Sequence, residues 1–414
     1  MGNFSIALSG LDADSTALNT IGNNLANLNT TAYKGQNTSF EDLFYQQIGQ
    51  SGSGDPIQAG SGTKVGATTT DFSEGTLLPD ANSNTSDMAL DGTGFFLVEQ
   101  NGQQSLTRAG NFTVANNGSL TTQDGQSVLG YPAVNGVVNT NTNPQAITLP
   151  VGATEGAQAT ENISITANLN SGATVGTTFT SPLQVFDSLG QSHQATVTYD
   201  KTGTNTWSYA VTLPPGDSTG TPLNNTGTLT FDTNGNLTSP TGSVTGISFP
   251  GMADGASDLT FNWNLNGLNN TGSTPTITQL ASANSNGAAP TDGFTSGNYT
   301  GFTVDPSGVI QAQFSNGNKE TIGQVAVATV TNVQGLVAVG GNNFQTTAAS
   351  GQAVAGVAGT GGRGTVDDST LEQSNVNIST EFSDLIVAQR AFEANSKTVT
   401  TFDTISQDVI GMIR

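Results

Sequence analysis

The 414-residue chain has no cysteine, a single histidine, 9 Lys+Arg against 31 Asp+Glu and a formal net charge of −22. Disulfides, thiolate metal centres and His₂ or His₃ zinc sites within one chain are thereby excluded, and so few cations leave no electrostatic footprint for nucleic acid or an anionic membrane. Charged residues reach only 10% while glycine fills 52 positions, well under the roughly one quarter of charged residues usual in a soluble domain.

Phe4, Leu11, Leu18 and Leu25 recur every seven residues, with Ala7, Ile21 and Leu28 three further on. This is an a/d seam and predicts a helix over 4–28, interrupted once by Asp14. No Lys or Arg precedes Lys34 and no apolar block stands before it, so no cleaved secretory signal is expected. No run approaches the 18 apolar residues of a bilayer span. Ser51-Gly-Ser-Gly-Asp-Pro56 through Gly62 has linker composition, as does the stretch from Ala355 to Gly364.

Between them, short β-branched and aromatic runs such as 94–98, 195–199 and 324–330 alternate with turn dipeptides at Asn101-Gly102, Asn117-Gly118, Asp124-Gly125, Asn234-Gly235 and Asn316-Gly317. Asn-Gly between strand-like runs predicts hairpins with type I′ turns, so the middle of the chain is expected to be all-β. At the far end Ile378, Leu385, Phe392, Val399, Ser406 and Ile413 restore the seven-residue spacing, with Phe382, Gln389, Ser396, Asp403 and Ile410 in the second seam position. This predicts a helix over 378–413.

Neither terminal helix is self-sufficient. Burying seven large apolar side chains of the first yields about 10–20 kcal/mol gross, while ordering some two dozen residues costs about 1–2 kcal/mol each. The two helices can cover each other in part, but Leu8 and Ala17 flank the first seam, and Ile386, Phe402, Ile405 and Val409 flank the second. The seams are therefore wider than one partner covers, and contacts with other copies are expected to complete them. The rival reading is a closed helical hairpin within one molecule. Phe4, Leu11, Leu18, Ile21, Leu25, Leu28, Ile378, Phe382, Leu385, Phe392, Val399, Ile410 and Ile413 are the candidate self-assembly residues. Among the scarce cations, Lys34, Arg390 and Lys397 are candidates to pair with Asp12 or Asp14 of a neighbouring chain.

Other motifs carry less. Gly359, Gly361 and Gly364 fit G-x-G-x-x-G, but no parallel βαβ unit surrounds them. Asp232, Asn234 and Asn236 open like a calcium loop, yet the glycine is misplaced and no acid stands at the twelfth position, so a hairpin turn is expected. His193 follows Asp187 and Ser188 without a nucleophile elbow. No catalytic residue, cofactor or metal is expected.

Asn19-Thr-Ile-Gly-Asn-Asn-Leu-Ala-Asn-Leu-Asn-Thr-Thr-Ala-Tyr-Lys34 with Phe40-Glu-Asp-Leu-Phe44 resembles the N-terminal signature of the bacterial flagellar rod and hook axial proteins. Ser374-Asn-Val-Asn-Ile-Ser379, Val387-Ala-Gln-Arg390, Phe392 and Ala394-Asn-Ser-Lys397 resemble that family's C-terminal signature. Leu90-Asp-Gly-Thr-Gly-Phe-Phe96 and Thr107-Arg-Ala-Gly-Asn-Phe112 are similar to its shared β motifs. The stretch Val185 to His193 with Trp207, then Asp292-Gly-Phe294 and Phe314-Ser-Asn-Gly317, resembles the hook branch, although Val330 to Leu336 lacks the expected Phe and Pro.

The resemblance implies a mainly β protein with α-helical termini: two β-rich domains on a coiled-coil stem formed by the N- and C-terminal helices. Residues 1–30 and 376–414 would form the inner helical tube, 31–71 and 359–375 linkers, 72–145 with 285–358 a discontinuous inner β domain, and 146–284 an outer inserted one. It implies a non-enzymatic subunit that polymerises with itself into the flexible hook tube carrying motor torque from rod to filament. By the same resemblance it would meet the hook cap, distal rod and hook–filament junction proteins and the flagellar export apparatus, and reach the cell exterior without signal cleavage. A distal rod subunit and a secreted β-rich glycan hydrolase are the alternatives.

Overall fold

The computed structural model describes residues 2–81, 84–272 and 274–412. The chain is mainly β with a helix at each end, α1 (Gly2–Ala26) and α2 (Ile378–Met412). It divides into two units. Unit 1 comprises Met1–Val151, Phe302–Ala312 and Glu320–Arg414; unit 2 comprises Gly152–Gly301 and Gln313–Lys319.

In unit 1 the helices form an antiparallel pair. Gly10 lies against the Asn395 side chain, the Asn395 amide donates to Asp14 at 2.9 Å, and the Asn24 amide donates to Glu381 at 3.0 Å. Helix α2 starts where the side chain of Asn377 accepts from the backbone N–H of Ser379 at 2.9 Å, an N-cap, with Glu381 favourably placed in the positive first turn. At 35 residues α2 outruns α1, which has 25.

The stretch after α1 is not the linker that its composition suggests. β1 (Gln36–Asp42) pairs antiparallel with β4 (Thr63–Thr70), and β2 (Gln46–Gln50) with β3 (Pro56–Ala59). Ser51-Gly-Ser-Gly-Asp is the turn of that second hairpin, closed by the Ser51 N–H donating to the Asp55 carbonyl at 2.8 Å. Glycine and serine here serve a reversal between strands, which composition alone does not separate from a flexible tether. Residues 359–375 likewise contain strands. Thr365–Asp368 pairs with β6 (Met88–Asp91), and Thr370–Glu372 pairs with β5 (Leu77–Pro79).

The body of unit 1 is an antiparallel sheet in which β7 (Phe95–Gln100) pairs with β8 (Gln103–Thr107), with Ser127–Val134 and with Lys319–Thr329. Phe96, Val98, Phe112, Leu120, Val128, Val325 and Val327 fill its core, with the rings of Phe96 and Phe112 edge to face at 5.1 Å. Unit 2 contains a five-stranded antiparallel sheet in sequence order, from Thr178–Phe186 to Leu237–Ser239, and two three-stranded sheets. Its core holds Trp207, Trp263, Tyr199, Phe249 and Phe261. The Trp207 indole N–H donates to Gln279 at 2.9 Å, all buried.

Hairpin turns are common, as expected, but their type is mixed. Asn101 and Gly102 both take positive φ (53° and 80°), the type I′ signature. At 117–118, 124–125, 234–235 and 316–317 only the glycine is left-handed. There a longer loop closes the reversal, as where the Asp232 N–H donates to the Asn236 carbonyl at 2.9 Å, and a single left-handed residue suffices. Asp232 itself accepts from the N–H groups of Asn234 and Asn236, each at 2.8 Å. The apparent calcium loop is a turn.

Candidate self-assembly surface and the clasp behind it

The side chains that the helix pair buries are small. Ala7, Gly10 and Ala13 of α1 and Ala388 of α2 are buried, and at Gly10 a Cβ would sit 2.7 Å from the Asn395 amide nitrogen, so the Asn395 side chain would have to shift. The large seam residues are left over. Leu11, Leu18, Ile21, Leu25, Leu28, Leu385 and Val399 are half-buried; Phe4, Ile378, Phe382, Phe392 and Ile410 are exposed, Phe382 by 50% and Ile410 by 65%. Ile413 lies outside the described residues. Ile386 and Val387 of α2 and Leu8 of α1 are exposed as well.

A groove of about 270 Å³ runs between α1, α2 and β1, lined by Ile21, Phe40, Val387 and Ala388 with Asp14 and Asp384. Burial lifts the carboxyl of Glu381, also in this wall, above its ordinary 4.5, opposed by the Asn24 amide and helped by Asp384. Phe44 and Tyr45, just before β2, and Ile48 and Ile57 of the β2–β3 hairpin stand in solvent, Phe44 91% exposed. The sequence reading missed this hairpin because it took the segment for a linker, and missed the alanine–glycine seal because small residues add little to a hydrophobic repeat.

Lys34 does not wait for a neighbouring chain. Its ammonium is buried and donates to Glu372 at 2.6 Å and to the Ser73 carbonyl at 2.7 Å. Arg108, also buried, donates through Nε to the other Glu372 oxygen at 2.9 Å and through its remaining nitrogens to the carbonyls of Gly92, Gly94 and Leu90. The Gly75 N–H adds a further bond to Glu372 at 2.9 Å. Burial works to raise the Glu372 carboxyl, but Arg108 and then Lys34 outweigh it and hold it below the ordinary 4.5. This clasp joins the segment leaving α1, the β body and the segment entering α2. Around it the Ala32 N–H donates to the Glu372 carbonyl at 2.8 Å and the Gly35 N–H to the Asn375 side chain, also at 2.8 Å. Asp14 takes the Asn395 amide, while Arg390 and Lys397 are exposed.

In unit 2, His193 is buried among carboxylates. Its Nε2 lies 2.9 Å from Asp187 and 3.8 Å from Asp254, and its Nδ1 lies 3.0 Å from Asp217. All three acids face a base, Asp187 wholly buried and Asp217 and Asp254 partly open to solvent.

Known proteins resemble the chain along its whole length. Family models match at residues 4–34 (flagella basal body rod protein), 89–170 (flagellar hook protein FlgE/F/G D1 domain), 167–294 (flagellar basal body protein FlaE D2 domain) and 368–412 (flagellar basal body rod FlgEFG protein C-terminal). The flagellar hook protein FlgE of Escherichia coli is 33% identical over 427 residues, covering 99% of each chain. That of Treponema pallidum is 31% identical, covering 98% of each. The crystal structure of Helicobacter pylori flagellar hook protein FlgE2 covers 72% of this chain and 100% of its own at a TM-score of 0.53 and 14% identity, a likeness of fold. With two relatives above 30% identity across nearly the full length and both terminal signatures in place, the chain belongs to the flagellar hook protein FlgE family.

Proposed function

We propose that this chain is a non-enzymatic structural subunit of the bacterial flagellar hook whose paired terminal helices are the polymerisation element. One observation carries the reading. The helix pair spends its small residues on the internal contact and leaves Phe4, Phe382, Phe392 and Ile410 outward, apolar faces with no intramolecular use and a cost to solubility unless identical molecules cover them. A head-to-tail contact that does not close produces an open helical filament, the geometry a tube requires.

Its finer associations follow from the family. The hook cap, the distal rod and the hook–filament junction proteins would meet the ends of the polymer, and the flagellar export apparatus would deliver subunits to the cell exterior. The match of 167–294 to the D2 domain favours the hook over a distal rod subunit. Against a glycan hydrolase, the converging carboxylates of unit 2 are engaged with His193.

Sedimentation of the full-length chain at rising concentration tests the proposal. Wild type should form long assemblies, whereas Leu18→Asp and Phe392→Asp should remain monomeric with β-sheet circular dichroism unchanged. Either variant building tubes of normal length removes those residues from the contact. A wild type that stays monomeric at high concentration removes the proposal.

A further inference from the structure

We propose that His193 is a proton-operated clamp: with both ring nitrogens protonated it ties three loops of unit 2 together, and on losing one proton to solvent it lets them go. The three loops are the turn 187–191, the loop 213–225 and the loop 250–258, each joining consecutive strands. They contribute one carboxylate each: Asp187 and Asp217 within hydrogen-bond distance of the ring, and Asp254, 3.8 Å from the Nε2 that already meets Asp187, through its charge alone. Asp258, the remaining acid of these loops, is turned away to accept from the Gly251 N–H at 2.9 Å.

The geometry suits the imidazolium. A neutral imidazole has one N–H and one lone pair, so between two carboxylates it satisfies one and turns a lone pair on the other; the cation donates to both. Here Nε2 meets Asp187 at 2.9 Å and Nδ1 meets Asp217 at 3.0 Å, with the ring buried and Asp187 wholly so. The second oxygen of Asp187 is pinned by the N–H groups of Leu189 at 2.8 Å and Gln191 at 2.9 Å, which fixes the first toward the ring. A zinc ion is the competing occupant, since Asp187, His193 and Asp254 offer ligand atoms within 4.8 Å of one another. Two ligands each about 2.0–2.1 Å from a tetrahedral zinc lie roughly 3.4 Å apart. The 2.9 Å between Nε2 and Asp187 is a hydrogen-bond distance, shorter than two tetrahedral zinc ligands keep.

Loops 213–225 and 250–258 are also stitched by the Ala253 N–H to the Asp217 carbonyl at 3.0 Å, the Thr219 N–H and hydroxyl to Gly251 at 2.9 Å each, and the Gly220 N–H and Ser218 hydroxyl to Pro250 at 3.0 and 2.7 Å. The turn 187–191 is held to them, besides the ring, by the Ser257 N–H donating to the Ser188 hydroxyl at 3.0 Å, so the ring matters most for that turn. Burial opposes charge on the ring, but hydrogen bonds to Asp187 and then Asp217, with the charges of both, outweigh it and hold the imidazolium above its ordinary 6.5. A raised histidine contributes its full stabilisation below 6.5, and that contribution is lost as pH rises through the higher folded value. The clamp is thus closed at pH below 6.5 and opens as pH rises through the higher folded value.

The chain has one histidine, so its ring proton resonances report a single group. In the full-length chain at low concentration, NMR titration should give a midpoint above 6.5, lowered in Asp217→Asn, a substitution at a partly exposed site. Hydrogen exchange, normalised for the intrinsic pH dependence, should show the turn 187–191 most, and loops 213–225 and 250–258 with it, losing protection through that midpoint in wild type. His193→Gln should show no such step, and if it does not fold, Asp217→Asn carries the test. A midpoint at or below 6.5, loop protection unchanged across it, or a titration abolished by one equivalent of Zn²⁺ would each overturn the clamp.

Discussion

Lys34 and Glu372 stand 338 positions apart in the chain and 2.6 Å apart in the fold. One belongs to the segment leaving the first helix and the other to the segment entering the last, so a single buried ion pair closes the circuit between the chain's ends. Glu372 also serves Arg108, so removing the carboxylate strands two cations in a dry site. Glu372→Leu should cost about 3–5 kcal/mol in urea unfolding of unit 1, and Lys34→Met less, because Arg108 still pairs with Glu372. Replacing Lys34, Arg108 and Glu372 together by apolar residues of similar size should cost far less than Glu372→Leu. Equal losses from Glu372→Leu and the triple replacement would show that the charges themselves stabilise the fold.

The same carboxylate sets an acid limit. Glu372 is held below its ordinary 4.5, so its contribution is complete above that value and is lost as pH falls through the lower folded one. Unfolding midpoints for unit 1 should fall below pH 4.5 more steeply in wild type than in Glu372→Gln. Parallel curves would remove Glu372 from acid sensitivity.

At Gly10 a β-carbon would meet the Asn395 amide at 2.7 Å and disturb its bond to Asp14. Gly10→Val should force the helices apart at about 1–3 kcal/mol and shorten assemblies in electron micrographs. Gly10→Ala should do so less, because the atom it meets is the tip of a side chain. Normal tubes from the valine variant would show that the helix pair tolerates spreading there.

Trp207→Phe should destabilise unit 2 by about 1–3 kcal/mol, because it leaves the Gln279 oxygen buried without its donor. Trp207→Ala should cost about 3–5 kcal/mol. Both are read by thermal unfolding of unit 2 aromatic signals. A phenylalanine variant as stable as wild type would assign the tryptophan's role to packing alone.

The helices were legible because Phe4, Leu11, Leu18 and Leu25, and Leu385, Phe392 and Val399, keep a period that survives without tertiary information. The β middle was legible from its turns. What the sequence concealed lies in contacts between distant positions. Nothing near Lys34 announces Glu372 or Arg108, so a scarce lysine read as an intermolecular partner. Ala7, Gly10 and Ala388 are too small to mark a contact face. The β2–β3 hairpin hid behind Ser51-Gly-Ser-Gly, whose composition suits a tether as well as a turn. His193 was visible, but its three acids come from loops that only the fold gathers.

Because the last helix is longer than the first, the stem of each molecule has a blunt end and a protruding one. Such an object has a direction. Were copies to stack along it as proposed, they would repeat in one sense and growth at the two tips would not be equivalent. A polarity of that kind would follow from ten residues' difference between two helices.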